Sequence, residues 1–220
     1  MPTLLSTRGP RTVIAILRQS VEHQLEAQAG EMLAELAAMT PAQASDAIAA
    51  NAEDAVANAL MTWIHKPQLC GVALVAATIA SNVGFRGRVD KLLDAVVACT
   101  EKHLSNPQLA RAGLHWLRYH STSPHAIEQA PRVAALACAA ALKHPSEERI
   151  ELYTAWIFLG LLALEPDDVA KRHGALGLAK VQDESLKIVA KNAATQVFVN
   201  GEAWNAFALR VFFPRMRSSS

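Results

Sequence analysis

Apolar side chains along this chain recur at steps of three and four, so most of it reads as amphipathic helix. Ile14, Leu17 and Val21 share one face over residues 11–20, and Leu25, Ala29, Met32, Leu33 and Leu36 do so over 23–39. Thr40-Pro41 ends that helix. Pro41 opens an alanine-rich one with Ala44, Ile48, Ala52 and Val56 along one side, expected to break before 55–64, where Val56, Leu60 and Trp63 line up. A tight turn at His65-Lys66-Pro67 leads into a helix over 68–80. A glycine-containing loop, 81–87, precedes a helix over 88–103 with Val89, Leu92, Leu93, Val96, Val97 and Thr100 inward. Ser105 or Asn106 caps the next helix, which runs from Pro107 through Leu109, Gly113, Leu114 and Leu117 to Tyr119. After a turn at 121–124 come a helix over 131–143, a tight turn at 144–148 and the most apolar run, 150–164. Trp156, Phe158 and Leu159 of that run are expected in the central buried layer. Asp167-Asp168 and Asp183 cap two further helices, to 180 and over 185–199, and a short helix over 203–213 precedes a polar tail. None of the chain reads as strand.

One stretch occurs twice. Lys66-Pro67-Gln68-Leu69-Cys70-Gly71-Val72-Ala73-Leu74 returns as Asn106-Pro107-Gln108-Leu109-Ala110-Arg111-Ala112-Gly113-Leu114, and each copy continues as an apolar segment. The longer helices start near residues 23, 68, 108, 147 and 184. Intervals of about 36 to 45 residues are those of stacked helical units, each of which needs its neighbours to cover its apolar face.

The third and longest helix of an armadillo unit carries a small residue, a large aliphatic one, and an apolar position a turn later. Ala73-Leu74 with Ala77, Gly113-Leu114 with Leu117, and Ala155-Trp156 with Leu159 follow that order, so the chain resembles armadillo repeats, and HEAT-type units fit nearly as well. The resemblance covers residues 23–200 in about four units. It implies an all-α, right-handed superhelical solenoid, with an N-terminal segment and first helix over 1–22 and a capping helix and tail over 201–220. It also implies an extended surface for other proteins, built from one helix of every unit. Placed from the small residue, that surface comprises Val75, Ile79, His115, Tyr119, Ile157 and Leu161, flanked by Arg111 and Arg118. Nuclear-import receptors of this fold hold basic peptides with tryptophan and asparagine, and none of these positions is either. An apolar strip rimmed by arginine suits an amphipathic helix with acids at its edge, with Tyr119 and Arg118 as anchors. The alternative is that the chain itself covers these positions.

Charge and composition narrow the choice further. About one residue in five is alanine, which agrees with an all-helical chain. A formal net charge of +1 provides no broad basic field for a phosphate backbone, so nucleic acid is not the expected partner. Cys70, Cys99 and Cys138 lie far apart in apolar runs with no CxxC pair, and read as small core residues in a reducing compartment. No metal, cofactor or small-molecule substrate is expected: the eight histidines form no His-x₃-His pair, and His115, His120 and His125 splay apart. Gly84 to Arg88 lacks the lysine of a phosphate loop, although its arginines with Lys91 could hold an acidic partner. No Gly-x-Ser-x-Gly stretch marks a hydrolase. No run is long enough to span a membrane. Arg8, Arg11 and Arg18, with no acid before Glu22, have the composition of a mitochondrial presequence, but a first helix after Pro10 is the preferred reading and mitochondrial targeting the alternative. The expectation is a non-enzymatic scaffold or adaptor, a structural subunit of a cytoplasmic or cytoskeletal assembly. The alternative is an organellar RNA- or ribosome-associated helical-repeat protein.

Overall fold

A computed structural model describes residues 8–81 and 90–162. All the regular structure in them is helical: α1 (Pro10–Glu22), α2 (Glu26–Ala37), α3 (Pro41–Ala49), α4 (Ala52–Thr62), α5 (Pro67–Ser81), α6 (Asp90–Lys102), α7 (Pro107–His120), α8 (Pro124–Glu128), α9 (Ala130–Lys143) and α10 (Glu148–Leu162). The helices expected beyond 164 and the glycine loop lie outside the described residues.

The boundaries follow from local chemistry. Pro10, Pro41, Pro67 and Pro107 each occupy the first helical position, where the missing N–H costs no bond. Thr40 and Gln43 form a reciprocal cap: Gln43 N–H donates to Thr40 Oγ1 (3.4 Å), and Thr40 N–H to Gln43 Oε1 (3.0 Å). Asn106 Oδ1 accepts from the N–H groups of Gln108 (3.0 Å) and Leu109 (3.3 Å). The expected break before residue 55 falls at Asn51, whose φ of 57° is left-handed, a conformation asparagine tolerates. Gln24, at φ 54°, lies in the turn after α1, so the helix expected over 23–39 starts only at Glu26.

Two rows result. One runs α2, α5, α7, α10, each packed on the next; the other runs α1, α4, α6, α9; and the rows face each other as α1 on α2, α4 on α5, α6 on α7 and α9 on α10. Short α3 leans on α1, α4 and α5, and short α8 on α6 and α9. Between the rows lies one continuous core from Val13, Ile14 and Leu17 of α1 to Ile150 and Ile157 of α10. Residues 10–22 are therefore structural, and Arg18 caps the end of α3 by donating to the carbonyls of Ala50 (2.9 Å) and Asn51 (3.1 Å). No helix among the described residues is long and apolar enough to cross a membrane.

The turn joining the rows recurs in atomic detail. Lys66 N–H donates to Trp63 O (2.8 Å), Asn106 N–H to His103 O (2.8 Å), and Glu147 N–H to His144 O (3.0 Å). Each turn then enters its helix in the same way, through Cys70 to Lys66, Ala110 to Asn106, and Glu151 to Glu147. Successive turns are tied together: His103 Nε2 lies 2.6 Å from Ile64 O, and His144 Nε2 lies 2.8 Å from Leu104 O. Leucines repeat too, Leu69 seated over Gly30 and Leu109 over Gly71.

The steps between these turns are 40 residues and then 41. The expected strip steps by 42 residues, from His115 to Ile157, so the turns move the register of α10 back by one. Trp156, expected in the central buried layer, is 39% exposed, and Ile157, expected on the outer strip, is fully buried. Counting from the turn, Trp156 rather than Ile157 is the counterpart of Val75 and His115. Nothing in the described residues bears on the side chains of Phe158, Leu159 and Leu161.

Candidate functional site

The expected strip divides along the row of α5, α7 and α10. Val75 on α5 is 46% exposed and Tyr119 on α7 is 44% exposed, while Ile79, Arg111, His115 and Arg118 are half-buried. Arg111, His115, Arg118 and Tyr119 share one face of α7, being four, seven and eight residues apart. Opposite them α10 contributes Arg149, Tyr153 and Trp156, which share a face for the same reason.

These side chains form an aromatic and cationic cluster. The His115 ring meets Tyr119 edge-on at 5.4 Å and Tyr153 at 4.9 Å between centroids. The Arg118 guanidinium carbon lies 4.4 Å from the Tyr119 centroid and 4.7 Å from that of Tyr153, a double cation–π contact. Arg118 Nη2 donates to the Tyr119 hydroxyl and to His115 Nε2 (2.9 Å), which leaves the neutral imidazole with its proton on Nδ1. Burial, and then the charges of Arg118, Arg149 and Arg111, hold His115 below the usual histidine range. None of these three arginines pairs with a carboxylate among the described residues, and Arg118 Nε is buried without a hydrogen-bond partner. The patch thus sets three arginines that form no ion pair among the described residues on an aromatic base.

The other histidines go elsewhere. His120 is buried, stacked on Trp116 at 4.0 Å, and burial pulls it down to about 4. His125 on α8 contacts Asp94 at 3.1 Å, and that carboxylate outweighs partial burial and raises it. Lys91, expected with the glycine loop, pairs with Asp54 at 3.7 Å.

Cys70 and Cys99 are buried, but the fold brings them together: both sulfurs and a ring nitrogen of His103 lie within 4.8 Å of one another. Cys99 on α6 and His103, the residue after its end, are four apart and joined by the His103 N–H to Cys99 O bond (3.0 Å), a Cys-x₃-His spacing visible in the sequence that a search for paired histidines passes over. Cys70, in the first turn of α5, donates to Trp63 O at 3.4 Å. The hydrogen bond from Cys99, with His103 adding to it, holds Cys70 down to about 7 against its burial. As the donor, Cys99 is pushed up, and its burial adds to this. Two soft sulfurs and an imidazole make a set that can hold a metal ion.

Comparison with known proteins gives no match: no family model, no curated protein and no solved structure is similar to this chain.

Proposed function

We propose that the chain is a non-catalytic docking protein, a short right-handed solenoid of armadillo or HEAT kind, whose α5–α7–α10 row receives an acidic amphipathic helix from another protein. The recurring turn, with its histidine tie and its leucine-over-glycine contact, supports the solenoid. The observation that carries the docking reading is the arginine trio around His115, Tyr119 and Tyr153, three cations in no ion pair among the described residues. Val75, Tyr119 and Trp156 expose apolar area along the same row, so a helix laid across it finds an apolar stripe with a positive rim. Tyrosine and arginine are also the residue types that most often dominate binding energy.

RNA fits less well. Glu147 and Glu148 sit at the start of α10 beside the patch, and the net charge of the whole chain is only +1. The test is the double variant R118A/Y119A in partner capture from the native cell. Binding of an acidic protein segment should fall at least tenfold while the thermal midpoint stays nearly unchanged. Undiminished binding of that segment by a folded double variant sinks the reading.

A further inference from the structure

We propose that Cys70, Cys99 and His103 are a metal site for a thiophilic divalent cation, with zinc the best fit, clamping α5 to α6. The three ligand atoms lie within 4.8 Å of one another. Around a tetrahedral zinc, with bonds of about 2.3 Å to sulfur and about 2.0 Å to nitrogen, ligand atoms stand roughly 3.5 to 3.8 Å apart. Small side-chain rotations close the difference. Backbone movement is not needed, because His103, just past the end of α6, donates its N–H to Cys99 O (3.0 Å) and so stands one turn beyond Cys99, and Cys70 is fixed in the first turn of α5.

A second, independent observation is the orientation of His103. Its Nε2 is committed to the Ile64 carbonyl at 2.6 Å, so the ring proton resides there and Nδ1 keeps its lone pair. A carbonyl on the far ring nitrogen is the usual partner of a metal-bound histidine: it fixes the tautomer and turns the ring. Loss of the Cys70 thiol proton leaves no orphan either, since Trp63 O also accepts from Lys66 N–H at 2.8 Å. Position helps as well, because the positive N-terminal end of α5 favours a thiolate at Cys70.

Charge selects the metal. Two thiolates and a neutral imidazole carry a charge of about −2, which a divalent ion cancels and a monovalent one does not, and an uncancelled charge in a buried site is costly. Both cysteines are fully buried, so this matters here. The half-exposed edge at His103 leaves the fourth coordination position to water. Binding releases the two thiol protons and ties α5 of one helix pair to α6 of the next, close to the recurring turn. This inference is independent of the docking face.

The test uses the full chain, reduced, stripped with chelator and titrated anaerobically with Co²⁺. The expected result is one equivalent bound, with a thiolate-to-cobalt charge-transfer band, strong visible bands of tetrahedral Co²⁺, and displacement by zinc with a rise in thermal midpoint. C70S and C99S should each abolish the charge-transfer intensity or halve it, and H103A should weaken binding at least tenfold. If a cysteine variant fails to fold, the wild-type titration together with H103A decides. The proposal is overturned if the wild-type chain shows no such band at one equivalent, or if H103A binds as tightly as wild type. It is overturned equally if the freshly isolated chain contains a Cys70–Cys99 disulfide, seen as a mass two hydrogens lighter.

Discussion

The imidazole of His144 reaches back one turn to the carbonyl of Leu104, with 2.8 Å between Nε2 and oxygen, as His103 reaches back to Ile64. Because the contact recurs at corresponding places, it acts as a tie between successive helix pairs. H144A removes it without emptying a core site, as His144 is half-buried. The expected loss is about 1 kcal/mol, read as a fall of a few degrees in thermal midpoint. An unchanged midpoint would mean that the tie contributes nothing.

The register of α10 has opposite consequences for two neighbours. Ile157 is fully buried and Trp156 is 39% exposed. I157A should cost roughly 2 to 5 kcal/mol in urea denaturation, and W156A less than about 1 kcal/mol despite removing the larger side chain. The reverse order would restore the register expected with Ala155 as the small residue of that unit.

At Gly113 the helices of the two rows nearly touch. A Cβ there would lie 1.9 Å from Thr100 Oγ1, and Thr100 is fully buried with its hydroxyl donated to Val96 O at 2.7 Å. G113A should therefore destabilise by about 1 to 3 kcal/mol although alanine is the better helix former. Removing the hydroxyl and methyl of the neighbour relieves most of the clash, so G113A/T100A should cost less than the sum of the single changes. Strict additivity in that double-mutant cycle argues against the close crossing.

His120 makes stability depend on pH. Burial lowers it from the ordinary 6.5 to about 4, so between those values the unfolded chain binds a proton that the folded chain does not. Its contribution is complete above pH 6.5 and is lost as pH falls toward 4, at up to about 1.4 kcal/mol per pH unit. Urea midpoints of wild type and H120F, which keeps a ring against Trp116, should diverge over that window, the variant falling less steeply. Parallel curves would place the titration elsewhere.

Much of this arrangement is legible in the residues, and the failures have physical causes. Pro67 and Pro107 mark helix starts because only the first turn tolerates proline, so the first recurrence is readable to the residue. The next long helix begins at Glu148 with no proline at its start to count from, and Ala155 passes for its small residue where the turn makes buried Thr154 the counterpart of Ala73 and Gly113, a slip of one. That slip exchanged Trp156 and Ile157. Five-residue α8 is too short to show a helical period. On the strip, Arg111, His115, Arg118 and Tyr119 were found because all four lie on one helix. Arg149 and Tyr153 were missed because they join the cluster only through the packing of α10 on α7. Cys70 and Cys99 likewise meet only when α5 and α6 come together, although Cys99-x₃-His103 was open to view.

The central claim, that the α5–α7–α10 row is the docking face, is tested most directly by site-specific photo-crosslinking in the native cell. A photoreactive residue is placed at Tyr119, or on the opposite row at Leu142, which is 54% exposed on α9. The account predicts that the Tyr119 probe captures a protein segment rich in aspartate and glutamate, that R118A suppresses the adduct, and that the Leu142 probe does not capture that segment. Adducts from Leu142 alone, or RNA in place of protein at Tyr119, would contradict it.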